Sequence, residues 1–571
     1  MNLLLQFGRR YGRPFVHWYL VGALLIAATN LLSVTIPLYL AAGIDALAAG
    51  DQAGVSAAAG WVAAMGLAVI GVRWGSRLAF FTPGRLVEAR VKHDLFDTIL
   101  AQQPSFLARF PAGDLMSRMS SDVQMVRLLF GFTLLGITNT TVAVALTATQ
   151  MLRLSPFLAA TVTVPLLVGF AITLMFVGRF RAITTRIQEA NAALSDHVLS
   201  TYQGIATVQA FGAEQALSAG FAPLNEEALQ ALLQRTRVRV GIGPVLSVAS
   251  SINVFLLLWF GGPLAMEGTI TVGELVAFMT LVAYLTGPLR GLTFILSLFN
   301  QGRAATERLD AVMGPLPLRP DQPDPAPAPD APPALRLTGL HYRYPDAEQD
   351  ALSGIDVEVP AGGTLGVFGP TGSGKSTLVR CLARLADPPP GTILIDGIDV
   401  RRLDLPRWRD AAVLVPQRAF LFSESVHDNI LLGHDADLDA LLQRSQLATD
   451  MAALPQGVRS QVGEAGLTLS GGQRQRVALA RGLARDHQVL MLDDVLSAVD
   501  HSTEAQLIEE LRRGARTTVI VANRISALRH ADVIVVLDGG KQVDRGTHAE
   551  LAARPGSYAD AWARQSDAEV A

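Results

Sequence analysis

The sequence predicts a chain in two parts: an all-α half whose helices cross a membrane, and a C-terminal α/β half built round a phosphate-binding loop. Three observations predict it. Six long apolar stretches lie within residues 1–313, and a proline-rich run fills 314–333. Beyond that run, short apolar strands alternate with helical stretches, and one strand leads into Gly369-Pro-Thr-Gly-Ser-Gly374-Lys375-Ser376. At 571 residues the chain is also too long for one ordinary core.

Composition agrees with a membrane-embedded half. Half of the residues are hydrophobic and 17% are charged, against about 25% charged in an average soluble protein. Mean hydropathy is +0.33. The net charge of −3 carries no electrostatic footprint for a nucleic-acid partner. The single cysteine, Cys381, excludes a disulfide within the chain and a cysteine-based zinc site, and reads as a small packing residue. Of 47 basic residues only Lys92, Lys375 and Lys541 are lysine, a bias that fits a high-GC bacterial genome.

A helix crosses the hydrocarbon layer with about 20 apolar residues. Stretches at about 16–42, 57–81, 129–152, 156–178, 240–262 and 272–299 meet that length. Arg9, Arg10 and Arg13 precede the first, but the run is too long for the core of a signal peptide and reads as an uncleaved span. Basic residues mark cytoplasmic segments. Segments 85–127 and 179–239 are rich in Arg, and Arg303 and Arg308 follow the last span. The loop with Asp45 and Asp51, the connection with Arg153 alone, and the turn 261–268 are poor in basic residues and read as outside. One topology satisfies all six spans: a multi-pass protein of the inner (plasma) membrane with both termini in the cytoplasm. Segment 179–239 has few helix breakers, and a pair of antiparallel helices of about 30 residues each projects about 45 Å. Arg73 and Arg77, near an inner end, read as snorkelling side chains, and Asn30, Thr35, Asn139 and Gln150 as interhelical hydrogen-bonding groups.

The run 314–333 carries too many prolines for helix or central strand and reads as an extended linker between domains 1–313 and 334–571. In the second domain, 364–368, 489–492 and 518–521 read as strands. The motif 369–376 fits the P-loop pattern between a strand and a helix. Glycines at 369, 372 and 374 let backbone N–H groups approach phosphate oxygens, and the helix start adds positive potential. Lys375 supplies a point charge for the β and γ phosphates, and Ser376 a hydroxyl for magnesium. The strand 489–492 ends in Asp493-Asp494, the pattern of a magnesium-holding carboxylate.

Between them stands Leu469-Ser-Gly-Gly-Gln473, which resembles the signature motif of ABC transporters. Other landmarks of that family follow in order. Tyr344 resembles the aromatic residue that stacks on adenine, and Gln417 the Q-loop glutamine. The run 461–464 resembles the exporter-specific motif, 497–500 with Asp500 the D-loop, and 546–548 the closing segment. In the first half, 113–118 with Asp122 and Val123 resembles the first coupling helix of exporter subunits and 204–214 the second, while 272–278 with Pro288 and Leu289 resembles the sixth helix. The resemblance leaves out only the linker and the last residues. It implies a six-span transmembrane domain with long helical extensions and an ABC nucleotide-binding domain that uses ATP and Mg2+. Gly369, Thr371, Gly372, Ser373, Gly374, Lys375, Ser376 and Thr377 would bind the nucleotide with Tyr344 and Gln417. Ser376, Gln417 and Asp493 would hold the metal. Leu469, Ser470, Gly471, Gly472 and Gln473 would face the ATP of a second subunit, since nucleotide domains of the family pair head to tail.

Two positions depart from the family pattern. After the acidic strand end the family has Glu as general base, and this chain has Asp494. The family's switch histidine is replaced by Asn523, within Ala522-Asn523-Arg524. Asp retracts the carboxylate by about 1.5 Å, and misplacement of about 1 Å can cost about 10²-fold in rate. Asn donates a hydrogen bond but relays no proton. The expectation is a site that binds ATP and hydrolyses it slowly, in the degenerate half of a heterodimeric exporter of an amphipathic drug, lipid or peptide. A homodimer with two slow sites, a regulatory ATP-clamp subunit, and an exporter-fold importer of a siderophore-like compound stay open.

Overall fold

The computed structural model describes residues 2–107, 109–242, 244–314, 325–344, 347–463, 468–498 and 501–570. The chain divides into two compact units, Met1–Leu100 with Ala112–Leu316, and Ala101–Pro111 with Pro317–Ala571.

The first unit is helical. Among the described residues five helices are long and apolar enough to cross a membrane: Leu3–Ala48, Gln52–Ala101, Ala112–Leu154, Val248–Met266 and Val272–Met313. The expected span 156–178 lies in the helix Pro156–Gln203, of which Pro156–Ile172 is the apolar stretch. Several side chains just beyond it fall outside the description. Two of the helices, Pro156–Gln203 and Val272–Met313, start at side-chain caps. Ser155 Oγ accepts from Leu158 N at 3.4 Å, and Thr271 and Glu274 form a reciprocal capping box, both bonds 2.9 Å. At 50 residues, Gln52–Ala101 is about 75 Å long, far more than a hydrocarbon layer of about 30 Å needs.

Two polar junctions tie these helices. Asn30 is fully buried; its amide donates to Asn139 Oδ1 at 3.1 Å and accepts from Tyr284 Oη at 2.7 Å, so Asn30 and Asn139 are interhelical groups. Thr35 instead bonds back to Leu31 O at 2.8 Å, within its own helix. The second junction is ionic. Arg308 Nε donates to Asp122 Oδ2 at 2.9 Å, and Arg118 Nε to Asp114 Oδ2 at 2.9 Å. Arg118 also donates to the Arg308 carbonyl. Asp122 raises Arg308 above the ordinary guanidinium value.

Residues Ala101–Pro111, just before Gly113, group with the α/β unit, and Gln103 Nε2 donates to Asp387 Oδ2 at 2.7 Å. From Ala112 the chain rejoins the helical unit, where Arg118 and Asp122 are held by helix Val272–Met313.

The second unit is built on a sheet of ten strands among the described residues: β1 (Leu335–Tyr342), β2 (Leu352–Val359), β3 (Thr364–Phe368), β4 (Ile393–Ile395), β5 (Ile398–Asp399), β6 (Ala412–Val415), β7 (Val489–Asp493), β8 (Thr517–Val521), β9 (Val533–Asp538) and β10 (Lys541–Gly546), in the order 5-4-1-2-10-9-3-8-7-6. β3, β8, β7 and β6 are adjacent and parallel. β7 and β8 are buried along their whole length, as apolar runs covered on both faces must be. The strands expected at 489–492 and 518–521 are each one residue longer. The last part of the proline-rich run is bound into this unit: Ala326 N donates to Arg402 O at 2.7 Å, and Thr517 Oγ1 to Pro333 O at 2.6 Å.

Asp122 is 4% exposed, so removing its cation leaves a buried carboxylate uncompensated. We expect Arg308→Ala to destabilise the purified protein by about 2 kcal/mol, toward the low end because the guanidinium itself is half exposed. Asp122→Asn combined with Arg308→Ala should cost less than Arg308→Ala alone, as read by thermal unfolding in detergent.

Candidate nucleotide site

The register of the parallel strands decides what meets at their carboxyl ends. Val415 pairs with Leu492, Leu492 with Ile520, and Ile520 with Gly366. The residues that follow on the four strands therefore open on one rim: Gln417 after β6, Asp493 and Asp494 at the end of β7, Asn523 after β8, and 369–376 after β3. This is where parallel α/β sheets place ligands.

The loop 369–376 needs its glycines. Gly369 sits at φ 156°, where a Cβ would lie 2.2 Å from Leu537 O, and Gly374 at φ 97°, where a Cβ would lie 2.7 Å from Ala351 O. Helix Lys375–Leu382 starts directly from Gly374, so its first N–H groups face the loop. Ser373 is 2% exposed and its hydroxyl is buried with no hydrogen-bond partner, an orphan that a phosphate oxygen would satisfy. Lys375 folds back on the loop, its Nζ donating to Gly369 O at 2.6 Å and Pro370 O at 2.8 Å. Burial lowers its ammonium from the ordinary lysine value, while Asp494 and Asp493 pull it back up. Both contacts are with neutral carbonyls, which an anion can displace.

Ser376 Oγ donates to Asp493 Oδ1 at 3.0 Å. The pair is all oxygen, the donor set a hard divalent cation such as magnesium takes. Burial raises the Asp493 carboxyl, opposed by Ser376. Asp494 sits beside it in the left-handed region, φ 52°, a conformation that Asp tolerates better than most residues. Its Oδ2 accepts from Gln417 Nε2 and from Asn523 Nδ2, each at 3.1 Å. Burial raises this carboxyl too, against the Asn523 backbone and the Gln417 amide. The structure thus brings Gln417 to Asp494 through its amide nitrogen. Tyr344 lies half-buried, edge-on to Tyr342 with centroids 5.0 Å apart, its hydroxyl 3.3 Å from Thr377 Oγ1. Thr371 is exposed at the loop tip.

Ser470 caps helix Gly471–Leu483 in a reciprocal box with Gln473, at 2.9 and 3.2 Å. Gln473 Nε2 donates to Asp450 Oδ1 at 2.9 Å, and Arg476 pairs with the same aspartate at 2.9 Å. Ser470 and Gly471 are exposed and Leu469 is buried. Asp500, with Glu464, lies outside the described residues. Sequence reasoning missed three contacts: Arg380 Nη1 on the Tyr344 hydroxyl at 3.5 Å, Gln475 Nε2 on Gln417 O at 3.1 Å, and Gln565 on the backbone of Asn523. Gln475 stands two residues past the signature and could have been read from it; Gln565 carries no motif.

A P-loop with an acidic strand end, on the same chain as helices able to cross a membrane, defines the class: a membrane transport ATPase. Comparison with known proteins narrows it. The chain matches the ABC transporter transmembrane region over residues 19–289 and the ABC transporter family over 352–497. It is 31% identical over 566 residues to a probable multidrug resistance ABC transporter ATP-binding/permease protein, YheI, of Bacillus subtilis, covering 96% of this chain and 95% of that one. It is 30% identical over 501 residues to the ATP-dependent lipid A-core flippase of Chromohalobacter salexigens, covering 83% of each. The structure of a bacterial Atm1-family ABC exporter with ATP bound superposes with a TM-score of 0.78, at 25% identity, over 97% of this chain and 98% of that one. This chain belongs to the ABC transporter family, as a fused permease and nucleotide-binding ATPase of the exporter type.

Because Ser373 Oγ has no partner without ligand, its loss should cost the free protein nothing. We expect Ser373→Ala to leave the nucleotide-free thermal midpoint unchanged or slightly raised, and to weaken ATP binding about 10-fold, measured by the ATP-dependent shift of the same midpoint.

Proposed function

We propose that this chain is the degenerate half of a heterodimeric exporter: it binds MgATP at its own P-loop, hydrolyses it slowly there, and lends its signature segment to the ATP of a partner half-transporter. The observation that carries the reading is the triangle of Gln417, Asp494 and Asn523. Two neutral amides hold the short carboxylate. Neither can accept the proton that an attacking water must lose, and general acid–base assistance is worth about 10²–10⁴-fold. The phosphate-binding groups are intact. On this reading the Lys375 ammonium leaves its two carbonyls for the β and γ phosphates, Ser373 and the backbone of Thr371, Gly372 and Gly374 line them, and Thr377 flanks them. Tyr344 offers its ring to adenine. Ser376 and Asp493, with Gln417, would hold magnesium, which when bound neutralises charge on the phosphates.

Ser470, Gly471 and Gly472 are exposed or half-buried at a capped helix start, a surface suited to phosphate on another molecule. The names of the relatives, a multidrug protein and a lipid flippase, support an amphipathic cargo moved outward across the inner membrane of a bacterium, through a six-span domain with the nucleotide-binding half in the cytoplasm.

If the sites are unequal, steady-state ATPase of the assembled transporter should nearly vanish in Ser470→Arg, which blocks the donated segment, and fall far less in Asp494→Asn. Equal damage from the two would replace the asymmetric reading with a symmetric homodimer.

Restoring the family pair should also raise hydrolysis at this site. Asp494→Glu with Asn523→His should gain about 10-fold or more in single-turnover rate. Asp494→Glu alone should gain less, since it places a longer side chain in a left-handed backbone without a proton relay. No gain from the pair would show that another group limits the site.

A further inference from the structure

We propose that Gln565, on the terminal helix Ser557–Val570, is a positioning residue that sets where the Asn523 amide meets Asp494. The inference rests on the reading that Asn523 and Asp494 act together on ATP at this chain's site. β8 ends at Val521, so Asn523 has left the ladder that fixes the strand. Gln565 takes over from there. Its Nε2 donates to Asn523 O at 3.0 Å, and its Oε1 accepts from Ile525 N at 2.8 Å. One side-chain amide thus spans the switch backbone as a neighbouring strand would. The flanks of the loop are held separately: Ala522 N donates to Val367 O at 3.2 Å, and Glu504 receives Arg524 at 2.8 Å and Ser526 Oγ at 2.6 Å.

The terminal helix is itself tied to the P-loop strand. Tyr558 is 2% exposed and stands edge-on to Phe368, centroids 5.2 Å apart at 79°; Phe368 is the last residue of β3, just before Gly369. The Tyr558 hydroxyl pairs with His548 Nδ1 at 2.9 Å, and the His548 ring packs against Trp562 at 5.0 Å. One rigid helix therefore references the switch loop to the strand that carries the phosphate loop. Each Gln565 bond is neutral and adds little to stability, whereas a misplacement of about 1 Å at a reacting centre costs about 10²-fold in rate. The residue should therefore matter more to turnover than to folding.

The test uses the full chain in its assembled transporter, labelled with 8-azido-ATP so that label on this polypeptide reports this site. Loss of γ-phosphate label relative to α-phosphate label measures its single-turnover hydrolysis, and saturation of the α label measures affinity. We expect Asn523→Ala and Gln565→Ala each to slow γ loss about 10-fold at unchanged affinity, and the double variant to be no slower than either single one. Gln565→Glu keeps the acceptor for Ile525 N but turns an oxygen on Asn523 O; it should be as slow as Gln565→Ala, with the thermal midpoint lowered only slightly. If Asn523→Ala leaves the rate unchanged, the site assignment itself fails and this inference with it. If Asn523→Ala is slow but Gln565→Ala has full rate, adds to Asn523→Ala, or loses affinity instead, the positioning role alone is overturned.

Discussion

The in-register ending of β3, β8, β7 and β6 is the constraint on which the site depends. β7 and β8 are apolar runs covered on both faces, so neither can slide along its neighbours without exposing buried Val, Leu and Ile or breaking the ladder, and β3 and β6 pair with them in the same register. With the ladder fixed, the first polar residue after each apolar run has little choice of place. The P-loop, Asp493, Asp494, Asn523 and Gln417 are brought together by packing on the far side of the sheet as much as by their own contacts. The loop that leaves β3 adds the second constraint, because Gly369 and Gly374 occupy backbone where a Cβ would strike the Leu537 and Ala351 carbonyls.

Asp494 shows how the site resolves the cost of burying charge. A carboxylate at a rim this enclosed needs donors, and charged hydrogen bonds are worth about 1.5–3 kcal/mol each where neutral ones give about 1. Here the donors come from two different loops, Gln417 and Asn523. They stabilise the charge and fix the carboxylate, yet neither changes protonation near neutral pH. An imidazole at 523 could do both. The substitution therefore separates two tasks that one residue can combine, holding the carboxylate and moving a proton, and keeps only the first.

The motifs of this half were legible because each rests on backbone chemistry local in sequence: glycines for forbidden φ, a serine with glutamine three residues later for a cap, an apolar strand ending in acid. Asp494 and Asn523 were legible as departures from such a pattern. The helical half was legible in its long apolar runs but less so at their margins. Span 156–178 continues into a helix of 48 residues, with no change of secondary structure to mark where lipid would end. The grouping of Ala101–Pro111 with the α/β unit carried no local signal, because it depends on residues nearly three hundred positions away, such as Asp387. Half of the proline-rich run proved to be part of the second unit for the same reason, since Ala326 and Pro333 are held by Arg402 and Thr517. Gln565 had no signal at all: a lone glutamine near the end of a chain gains meaning only when its helix folds back on the switch loop.

The contacts of Gln475 join the chain's own site to its signature segment. Its side chain donates to the backbone carbonyl of Gln417 at 3.1 Å, and it lies on the helix that Ser470 caps. Gln417 reaches Asp494 through its side chain. The carboxylate of the chain's own site, the Q-loop backbone and the segment proposed to face a partner's ATP are thus joined by two hydrogen bonds and one rigid helix. The same helix is braced by Gln473 and Arg476 on Asp450. A nucleotide at this chain's site that fixes Gln417 would, through these contacts, act on the helix that Ser470 caps. On the proposed reading that this site hydrolyses slowly, retention rather than turnover is what it would contribute, and the two amides on Asp494 that lack a proton relay also fix the carboxylate.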